Sequence, residues 1–492
     1  MRVACCLFVG ILCSLFAASS ASADDVLVLS KDGKVRHHDD KALGAITLQS
    51  PPVRRGHAVA TAAKKKPKRT VTSELKRLRD AGKITAEDYT ARRAAYIDAR
   101  RKAKKLAGLG RSQMTAVVRS LDDMAARKKL TPSRIVPLWL TLERNLQWWS
   151  TGKSLGSGQR VEFAGSELVW QYYPGQGLQL QMLGNFGKLN GLWGAKSNAR
   201  LNFMLDELLA LAAERAGGVA WEYYFTFGGG KPPWVSGLAE GTAVQALARA
   251  ATRLHREAEV LPIAQKALGI FKTKTPTGVR VPAPHGDHYA IYSFAPGLRV
   301  LNGFIQSLVG LYDYARLSKD PLGTQLFQAA EPEARVETPT YDTGAWSLYS
   351  RGTSTHESTL SYHDLLEDFL AGLCKRTKID VYCTTADHFV AYKSVAPDLV
   401  LHTARLRGGT YGRVKFDLSK ISTVSLQITR GARTVETRPF GSVGYGKRSF
   451  GWQVPRKAGT YTVVLTARDL AGNATSDTTT VRVLKPKKKK RP

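Results

Sequence analysis

The sequence predicts a multidomain chain: a short β segment, an (α/α) toroid and, after it, a C-terminal immunoglobulin-like β-sandwich. Three observations support this fold class. The 492 residues suffice for several domains, each with its own core. The middle of the chain alternates helical periodicity with loops rich in Gly, Pro and aromatic residues. The last part consists of short alternating segments separated by turns, which is typical of a sandwich.

The N-terminus predicts export. A charged start, a short apolar run and the small residues Ala21-Ser22-Ala23 have the form of a secretory signal peptide over residues 1–23. No later apolar run reaches the length of a spanning helix, so we expect a secreted or cell-surface protein without a membrane anchor. Residues 24–70 are polar and basic, which predicts a disordered basic leader.

The remaining boundaries follow from changes in periodicity. Apolar residues at helical spacing among many cations predict a basic helical hairpin region, and Gly breaks with alternation predict the β segment. Helical hairpins joined by aromatic loops then predict a toroid whose loops gather at one end and form a cleft. The predicted ranges are 71–150 for the hairpin region, 151–184 for the β segment, 185–398 for the toroid, 399–484 for the sandwich and 485–492 for a basic tail.

The formal net charge of +33 is concentrated in residues 64–129 and in the Lys-rich tail. Because an exported protein rarely meets nucleic acid, we expect an acidic polysaccharide, or an anionic cell-wall or membrane surface contacted by the basic hairpin and the tail. A solvated charged face on a packing hairpin is the plainer alternative. A homodimer is left open.

Two cysteines remain once the predicted signal peptide is removed. Cys374 and Cys383 lie close together in "LCKRTKIDVYC". In an exported protein this pattern predicts one disulfide that closes a short loop, with two buried free thiols as the alternative.

The stretch "YDTGAWSLYS" contains Asp342-Thr343-Gly344, the triplet of aspartic proteases. Those enzymes need two carboxylates that share a proton, supplied by β-rich lobes. Here a single triplet lies between predicted helices. We therefore expect Asp342 to cap a turn and Gly344 to take a special backbone conformation.

Four stretches, in this order, resemble the C-terminal catalytic domain of heparosan D-glucuronyl C5-epimerases: "PPWVSGLAEGTAVQALARA", "PGLRVLNGFIQSLVGLYDY", "YDTGAWSLYS" and "SYHDLLEDFL". "YYPGQGLQLQ" resembles an earlier segment of that family. The resemblance implies an isomerase that epimerises C5 of glucuronic acid residues in a polysaccharide to give iduronic acid, on a β portion followed by an (α/α) domain. No cofactor is expected: no metal-ligand cluster is evident, and "FGGGKPP" lacks the ending of a phosphate loop.

Removal of a C5 proton beside a carboxylate needs a base on one face of the sugar, an acid on the other and donors on the carboxylate. The resemblance places the catalytic tyrosines at Tyr292, Tyr349 and Tyr362. A nearby cation can lower a tyrosine pKa toward working pH. The sequence departs from the family at Ile291, where active members carry a glutamate. The base is therefore left open among Tyr292, Glu240, Glu222 and Asp287.

Substrate-binding candidates come from the same loops. Arg351 is the first choice for the uronate carboxylate because a guanidinium can bind it with two parallel hydrogen bonds. The further candidates are His363 and His288 as cations or donors, Asn302 and Gln181 as neutral donors, and Tyr173, Trp234 and Trp346 as rings that stack on sugars. Each has a purely structural alternative. Two other functions stay open: a polysaccharide lyase that uses the same C5 abstraction, and a non-catalytic binder of acidic wall polymer.

Overall fold

The structure is a computed structural model that describes residues 25–43 and 69–486. Its first element is a five-stranded sheet in the order β2-β1-β3-β4-β5, in which only the β1–β3 pair is parallel. The strands are β1 (Asp25–Leu29), β2 (Val35–Asp39), β3 (Arg160–Phe163), β4 (Trp170–Tyr173) and β5 (Gly177–Leu180). The β segment predicted over 151–184 is therefore one part of a larger sheet.

The prediction of a disordered leader over residues 24–70 is wrong for residues 25–43. Val26 and Leu29 are buried, so the short apolar run inserts as a strand rather than staying in solvent. Asp40, which ends this segment, is 2% exposed and pairs with Lys188 at 3.0 Å and Arg200 at 2.8 Å. These partners are distant in sequence, so local composition does not reveal them. The predicted signal peptide and residues 44–68 lie outside the described residues.

Four helices fill the region predicted as a basic helical hairpin. They are α1 (Val71–Asp80), α2 (Ala86–Lys105), α3 (Gly108–Ala126) and α4 (Pro132–Trp149). Thr70 and Thr85 begin the first two, because each side chain accepts a hydrogen bond from a backbone N–H in the first turn. Trp139 on α4 donates to the carbonyl of Arg92 at 2.8 Å, which packs α4 against α2.

The central region is helical. It contains α5 (Met182–Gly194), α6 (Asn198–Ala210), α7 (Gly237–Leu254), α8 (Glu257–Ala267), α9 (Gly269–Lys272), α10 (Leu301–Ser318), α11 (Pro321–Glu337), α12 (Leu360–Thr377) and α13 (Asp380–Tyr392). Helices α7 and α10 touch through glycines: a Cβ at Gly310 would lie 2.0 Å from the carbonyl oxygen of Gly241. Among the described residues, none of the helices combines the length and the apolar character required to cross a membrane.

The predicted disulfide is confirmed. Cys374 on α12 and Cys383 on α13 are bonded, with their Cα atoms 5.0 Å apart. The bond ties the end of α12 to the start of α13, so the two helices form a closed hairpin.

Short strands interrupt the helices and carry much of the chemistry described below. They are β6 (Ala213–Arg215), β7 (Gly218–Ala220), β8 (Arg280–Ala283), β9 (Gly286–Tyr289), β10 (Leu298–Val300), β11 (Leu348–Gly352) and β12 (His356–Glu357). β11 pairs with β10 on one side and β12 on the other, all antiparallel. This small sheet holds the segment that precedes α12.

The C-terminal region is β-rich. Its strands are β13 (Leu399–Leu401), β14 (Arg405–Arg407), β15 (Tyr411–Leu418), β16 (Ser422–Arg430), β17 (Arg433–Val443), β18 (Gly446–Gln453), β19 (Gly459–Asp469) and β20 (Ala474–Leu484). They form sheets in the orders β13-β15-β18 and β14-β20-β19-β16-β17, which share one buried apolar core. The predicted order, a helical region followed by a β-rich one, is confirmed. The toroid and the immunoglobulin-like form stay predictions.

Polar contacts fix the C-terminal region against the helical region. Glu357 on β12 accepts hydrogen bonds from the backbone N–H groups of Ile421 at 2.6 Å and Tyr445 at 2.8 Å. Asn473 donates to the carbonyl of Lys393 at 2.8 Å. Lys420 is 1% exposed, and its ammonium lies 5.5 Å from the ring centre of Trp346. The β-rich region therefore supports the chain between residues 346 and 357.

Candidate active site

Three tyrosines from separate elements come together. Tyr292 lies in the loop after β9, Tyr349 on β11 and Tyr362 in the first turn of α12. The rings of Tyr349 and Tyr362 are 4.6 Å apart, and the Tyr292 hydroxyl interacts electrostatically with both. The loop of Tyr292 is held in place because Ser293 donates its N–H to the carbonyl of Val235 at 3.0 Å. We call Tyr292, Tyr349 and Tyr362 the tyrosine cluster.

Within the tyrosine cluster, Tyr349 is the central member. Burial raises the pKa of all three hydroxyls, most for Tyr292 and Tyr362. For Tyr349 the neighbouring hydroxyls of Tyr292 and Tyr362 oppose this rise. Among the described residues its buried Oη has no hydrogen bond of full geometry, yet both neighbours lie within interaction range. Burial nevertheless outweighs both neighbours, so the pKa of Tyr349 stays above its ordinary value.

Aromatic side chains surround the tyrosine cluster. Tyr173 packs on Phe225 with ring centres 4.4 Å apart, and Phe227 lies 5.5 Å from Tyr292. Trp234 is 5.9 Å from Tyr292, but it is buried and its indole N–H donates to the carbonyl of Phe225 at 2.9 Å. Tyr173 and Trp234 therefore adjoin the cluster, Trp234 as buried packing and Tyr173 half-buried; their role in sugar stacking stays a prediction. We call Tyr173, Phe225, Phe227 and Trp234 the aromatic wall.

Gln181 connects this aromatic wall to α5. Its Oε1 accepts from the N–H of Gly184 at 3.1 Å and from the hydroxyl of Tyr223 at 3.4 Å, and its side chain hydrogen-bonds Tyr173. The pKa of Tyr173 is raised by burial, against opposition from Gln181 and the cation Arg160. Tyr173 in turn interacts electrostatically with Tyr292 and Tyr362. Gln181 is thus close to the site and already holds two donors.

Arg160 is a site residue that the sequence reasoning missed. It lies on β3, is 6% exposed and acts on Tyr173. No local motif marks it, because it reaches the site only through the pairing of β3 with β4, where Arg160 lies opposite Gln171. Its charge acts on Tyr173, which adjoins the tyrosine cluster.

Arg351 does not take the predicted position beside Tyr349. Its guanidinium donates to the carbonyl of Thr340 at 3.0 Å and lies 5.9 Å from the ring centre of Tyr341. Burial raises the pKa of Tyr341, and Arg351 is one of the cations that oppose that rise. Arg351 follows Tyr349 by two positions on β11, so both side chains leave the same face of the strand. The long side chain of Arg351 nevertheless turns toward Thr340.

Trp346 and His363 form a buried stack with ring centres 3.8 Å apart. The indole of Trp346 donates to the carbonyl of Ser358 at 2.9 Å. Both nitrogens of His363 are engaged, one with Ser347 Oγ and the other with the carbonyl of Phe389, each at 2.8 Å. Burial lowers the pKa of His363 to about 4. The pair joins the segment just before Tyr349 to the first turn of α12, which carries Tyr362.

His288 and Asn302 are both buried, and each has one polar side-chain atom without a hydrogen-bond partner among the described residues. His288 Nδ1 lies 3.1 Å from Glu337, while its Nε2 and the Oδ1 of Asn302 have no hydrogen-bond partner among the described residues. Burial lowers the pKa of His288, and Glu337 opposes that shift. His288 packs 4.3 Å from Phe304 on α10, so it belongs to the helix packing behind the loop.

Asp342 shapes the loop as expected. Its carboxylate accepts from the N–H of Gly344 at 2.8 Å and from the hydroxyl of Tyr392 at 2.9 Å. Gly344 has φ +82°, a conformation that suits glycine. The reading of this triplet as a turn is confirmed.

The carboxylates considered as alternative bases differ in whether their oxygens are already paired with cations. Glu222 is held between Arg134 at 2.6 Å and Arg215 at 2.7 Å, and Asp287 pairs with Arg280 at 2.9 Å. Those two carboxylates are already engaged in ion pairs.

Glu240, the third alternative, is fully buried in the first turn of α7. One oxygen accepts from the N–H of Trp221 at 2.9 Å, and the other has no partner among the described residues. Burial raises its pKa to about 8. Ile291, at the position of the family glutamate, packs against Gly303 in the core.

Comparison with known proteins connects this geometry to a family. Residues 216–391 match the sequence model of the D-glucuronyl C5-epimerase C-terminus. All three members of the tyrosine cluster lie inside this range, which we call the epimerase-like region. The match supports the family resemblance, whereas Tyr173, Gln181 and Arg160 lie before it.

A relative in Caenorhabditis elegans, a D-glucuronyl C5-epimerase, is 31% identical over 179 residues. The alignment covers 33% of this chain and 29% of the relative, so the chain spans less than a third of that protein's length. Among solved structures, a Cellulomonas fimi endo-beta-1,4-mannanase double mutant aligns at 11% identity over 75% of this chain and 85% of its own, with a TM-score of 0.14. That value supports no conclusion about the fold.

No metal site is evident in residues 25–43 and 69–486, where no group of three or more His, Cys, Asp or Glu side chains could hold an ion. The epimerase-like region and the residues before it bring together tyrosine hydroxyls, Arg160 and amide donors. Such groups can transfer protons and bind a carboxylate.

Proposed function

We propose that this chain is an exported D-glucuronyl C5-epimerase-like isomerase that interconverts glucuronic and iduronic acid residues within an acidic polysaccharide. The observation that carries the proposal is the convergence of Tyr292, Tyr349 and Tyr362 inside a region that matches the epimerase family. The proposed scaffold is an (α/α) toroid for the helical region, with an immunoglobulin-like module as the C-terminal part. Heparosan is the substrate that the family suggests.

The reaction removes the C5 proton of the uronate and returns a proton to the opposite face. The electron pair left at C5 is delocalised into the adjacent carboxylate, so that group needs donors as its negative charge grows. In this proposal Arg160 binds the carboxylate in place of Arg351, because its charge acts on the wall that adjoins the cluster. Gln181 is placed to add a neutral donor through its amide.

Tyrosines of the cluster supply both proton transfers. Tyr349 is assigned as the acceptor, because it lies against Tyr362 and within interaction range of Tyr292, and both neighbours carry hydroxyls that can donate to its oxygen. A tyrosine on the other face of the sugar returns a proton, and Tyr292 or Tyr362 fills that role. Because Ile291 stands where the family has a glutamate, the proposal uses tyrosines for both proton transfers. Trp234 and Tyr173 shape the wall on which a sugar ring stacks.

The test is exchange at C5 in heavy water. We expect the purified protein to incorporate deuterium at C5 of heparosan or another glucuronate polymer, to form iduronic acid and to leave the chain length unchanged. An unsaturated product that absorbs near-ultraviolet light would identify a lyase instead. Polymer binding without C5 exchange, on every uronate polymer tried, would favour the non-catalytic binder and contradict the proposal.

A further inference from the structure

A basic groove runs along α3 toward the candidate site. Two neighbouring concavities, of about 340 Å³ and 430 Å³, share Arg119 on their walls. The cations that line them are Arg100, Lys104, Arg111, Arg119, Arg127 and Lys231. We call the two concavities together the α3 groove.

In the part of the chain that the structure describes, the cations of the α3 groove form no direct ion pairs, unlike several cations on α1 and α2. Lys76, Arg101 and Lys102 pair with Asp80 or Asp98 within 3 Å. Among the described residues, no cation of the α3 groove forms an ion pair with a carboxylate within 4.0 Å. Arg100 interacts electrostatically with Asp122, but no groove cation is held in a direct ion pair with a described residue, so their charge is available to an anionic ligand.

Several groove side chains are also held in position. Arg111 donates to the carbonyl of Leu106 at 2.5 Å, and Arg127 donates to the carbonyl of Asp123 at 3.2 Å. The guanidinium of Arg100 lies 5.5 Å from the ring centre of Tyr96. Prepositioned cations lose less conformational entropy when a ligand binds. Two carboxylates, Asp122 and Asp123, also line the groove and reduce its net positive charge.

One end of the groove reaches the aromatic wall of the site. Its lining includes Gly175 and Gln176, directly after the strand that ends at Tyr173, and Thr226, next to Phe227. The N–H of Thr226 donates to Gln176 at 3.4 Å, so these two loops are joined. The loops of Gln176 and Thr226 therefore border both the groove and the aromatic side chains beside the tyrosine cluster.

We infer that the α3 groove binds the anionic polysaccharide chain beyond the sugar that reacts, so that it recognises polymer over short oligosaccharides. The inference rests on the proposed function for the position of the reacting sugar. The α3 groove is concave and is bordered by the loops of Gln176 and Thr226, which suits an extended chain better than a flat bilayer.

The test compares two charge-removing double variants. Arg119→Gln/Lys231→Gln removes two groove cations, both exposed, and Lys266→Gln/Lys272→Gln removes two exposed cations elsewhere. Circular dichroism verifies that both fold. Affinity for labelled heparosan polymer and for a heparosan hexasaccharide is measured without turnover, at low and at high salt. The same proteins are titrated with phosphatidylglycerol vesicles.

We expect the groove variant to bind the polymer about fivefold more weakly at low salt, with the difference reduced by added salt. The hexasaccharide affinity of that variant and the polymer affinity of the control variant stay at wild-type values. An equal loss in both variants, no loss in either, or a loss confined to the vesicles would overturn the inference. If C5 exchange fails but this binding pattern holds, the proposed function is rejected and the groove stands as a polymer site.

Discussion

Lys420 joins the C-terminal β-rich region to the helical region, and Lys420→Met tests that contact. The ammonium pairs with Asp469 at 2.7 Å, both side chains being almost completely buried, and donates to the carbonyls of Tyr392 and Val395. Removing one partner of a buried pair costs about 3–5 kcal/mol. Asp469 keeps two donors from Asn473, at 2.8 Å and 3.0 Å, so we expect the lower end, about 3 kcal/mol.

The assay is urea unfolding at neutral pH, followed by tryptophan fluorescence, where the midpoint shift multiplied by the slope gives the loss. Burial raises the pKa of Asp469, and Lys420 with Asn473 more than offsets this, so the pKa is lowered overall. Without Lys420 that carboxyl protonates more readily, and the loss should shrink as pH falls. Lys415→Met, at an exposed position of β15, is the control. A loss below about 1 kcal/mol, or equal to the control, would refute the reasoning.

Three further predictions concern stability. Burial lowers the pKa of His363 to about 4, so as the pH falls through about 6.5 only the unfolded state gains a proton at this residue. The free energy of unfolding therefore drops between about pH 6.5 and pH 4, by at most about 3 kcal/mol. Urea midpoints across this range measure the drop, and His363→Phe removes it. Cys374→Ser/Cys383→Ser opens a loop with sequence separation 9 and lowers the free energy of unfolding by about 2.7 kcal/mol, measured without reductant. Ile291→Glu places a buried carboxylate against Gly303 and lowers the free energy of unfolding by about 3 kcal/mol at neutral pH, and by less in acid, where the carboxylate is protonated. Urea unfolding across the same pH range measures this loss.

Controls separate these causes from general damage. Reduction of the wild-type disulfide should give the same loss as the double serine variant, and Ile291→Leu should cost less than about 1.5 kcal/mol. A pH dependence that persists in His363→Phe would contradict the assignment to His363. An unchanged midpoint in the serine variant, or equal stability of Ile291→Glu and Ile291→Leu, would contradict the respective account.

Periodicity and motif spacing predicted the parts that depend on neighbours in sequence. The helices of the central region, the turn at Asp342 and the disulfide between Cys374 and Cys383 all arise from local patterns. The order of a helical region before a β-rich region follows from the same periodicities. The resemblance supplied the three tyrosines, and the fold brings them together from a loop, a strand and a helix.

Side-chain partners across the fold were not predictable in the same way. Arg160 reaches the aromatic wall through strand pairing, and Arg351 turns toward Thr340 although it follows Tyr349 by two residues. The strands β1 and β2 were missed because β1 pairs with β3, more than a hundred residues along the chain, and Asp40 after β2 pairs with Lys188. These contacts join residues that are not neighbours in sequence, so local composition and spacing do not reveal them.

The central claim is that the hydroxyl of Tyr349 carries proton transfer at C5. Tyr349→Phe removes that oxygen and keeps the ring that packs on Tyr362, so the fold should be retained. Tyr411→Phe, at a tyrosine that is 70% exposed on β15, is the matched control. The decisive measurement is the rate of deuterium incorporation at C5 of heparosan in heavy water. We predict a loss of at least about 100-fold for Tyr349→Phe and none for Tyr411→Phe; a folded Tyr349→Phe protein that exchanges at the wild-type rate would contradict the account.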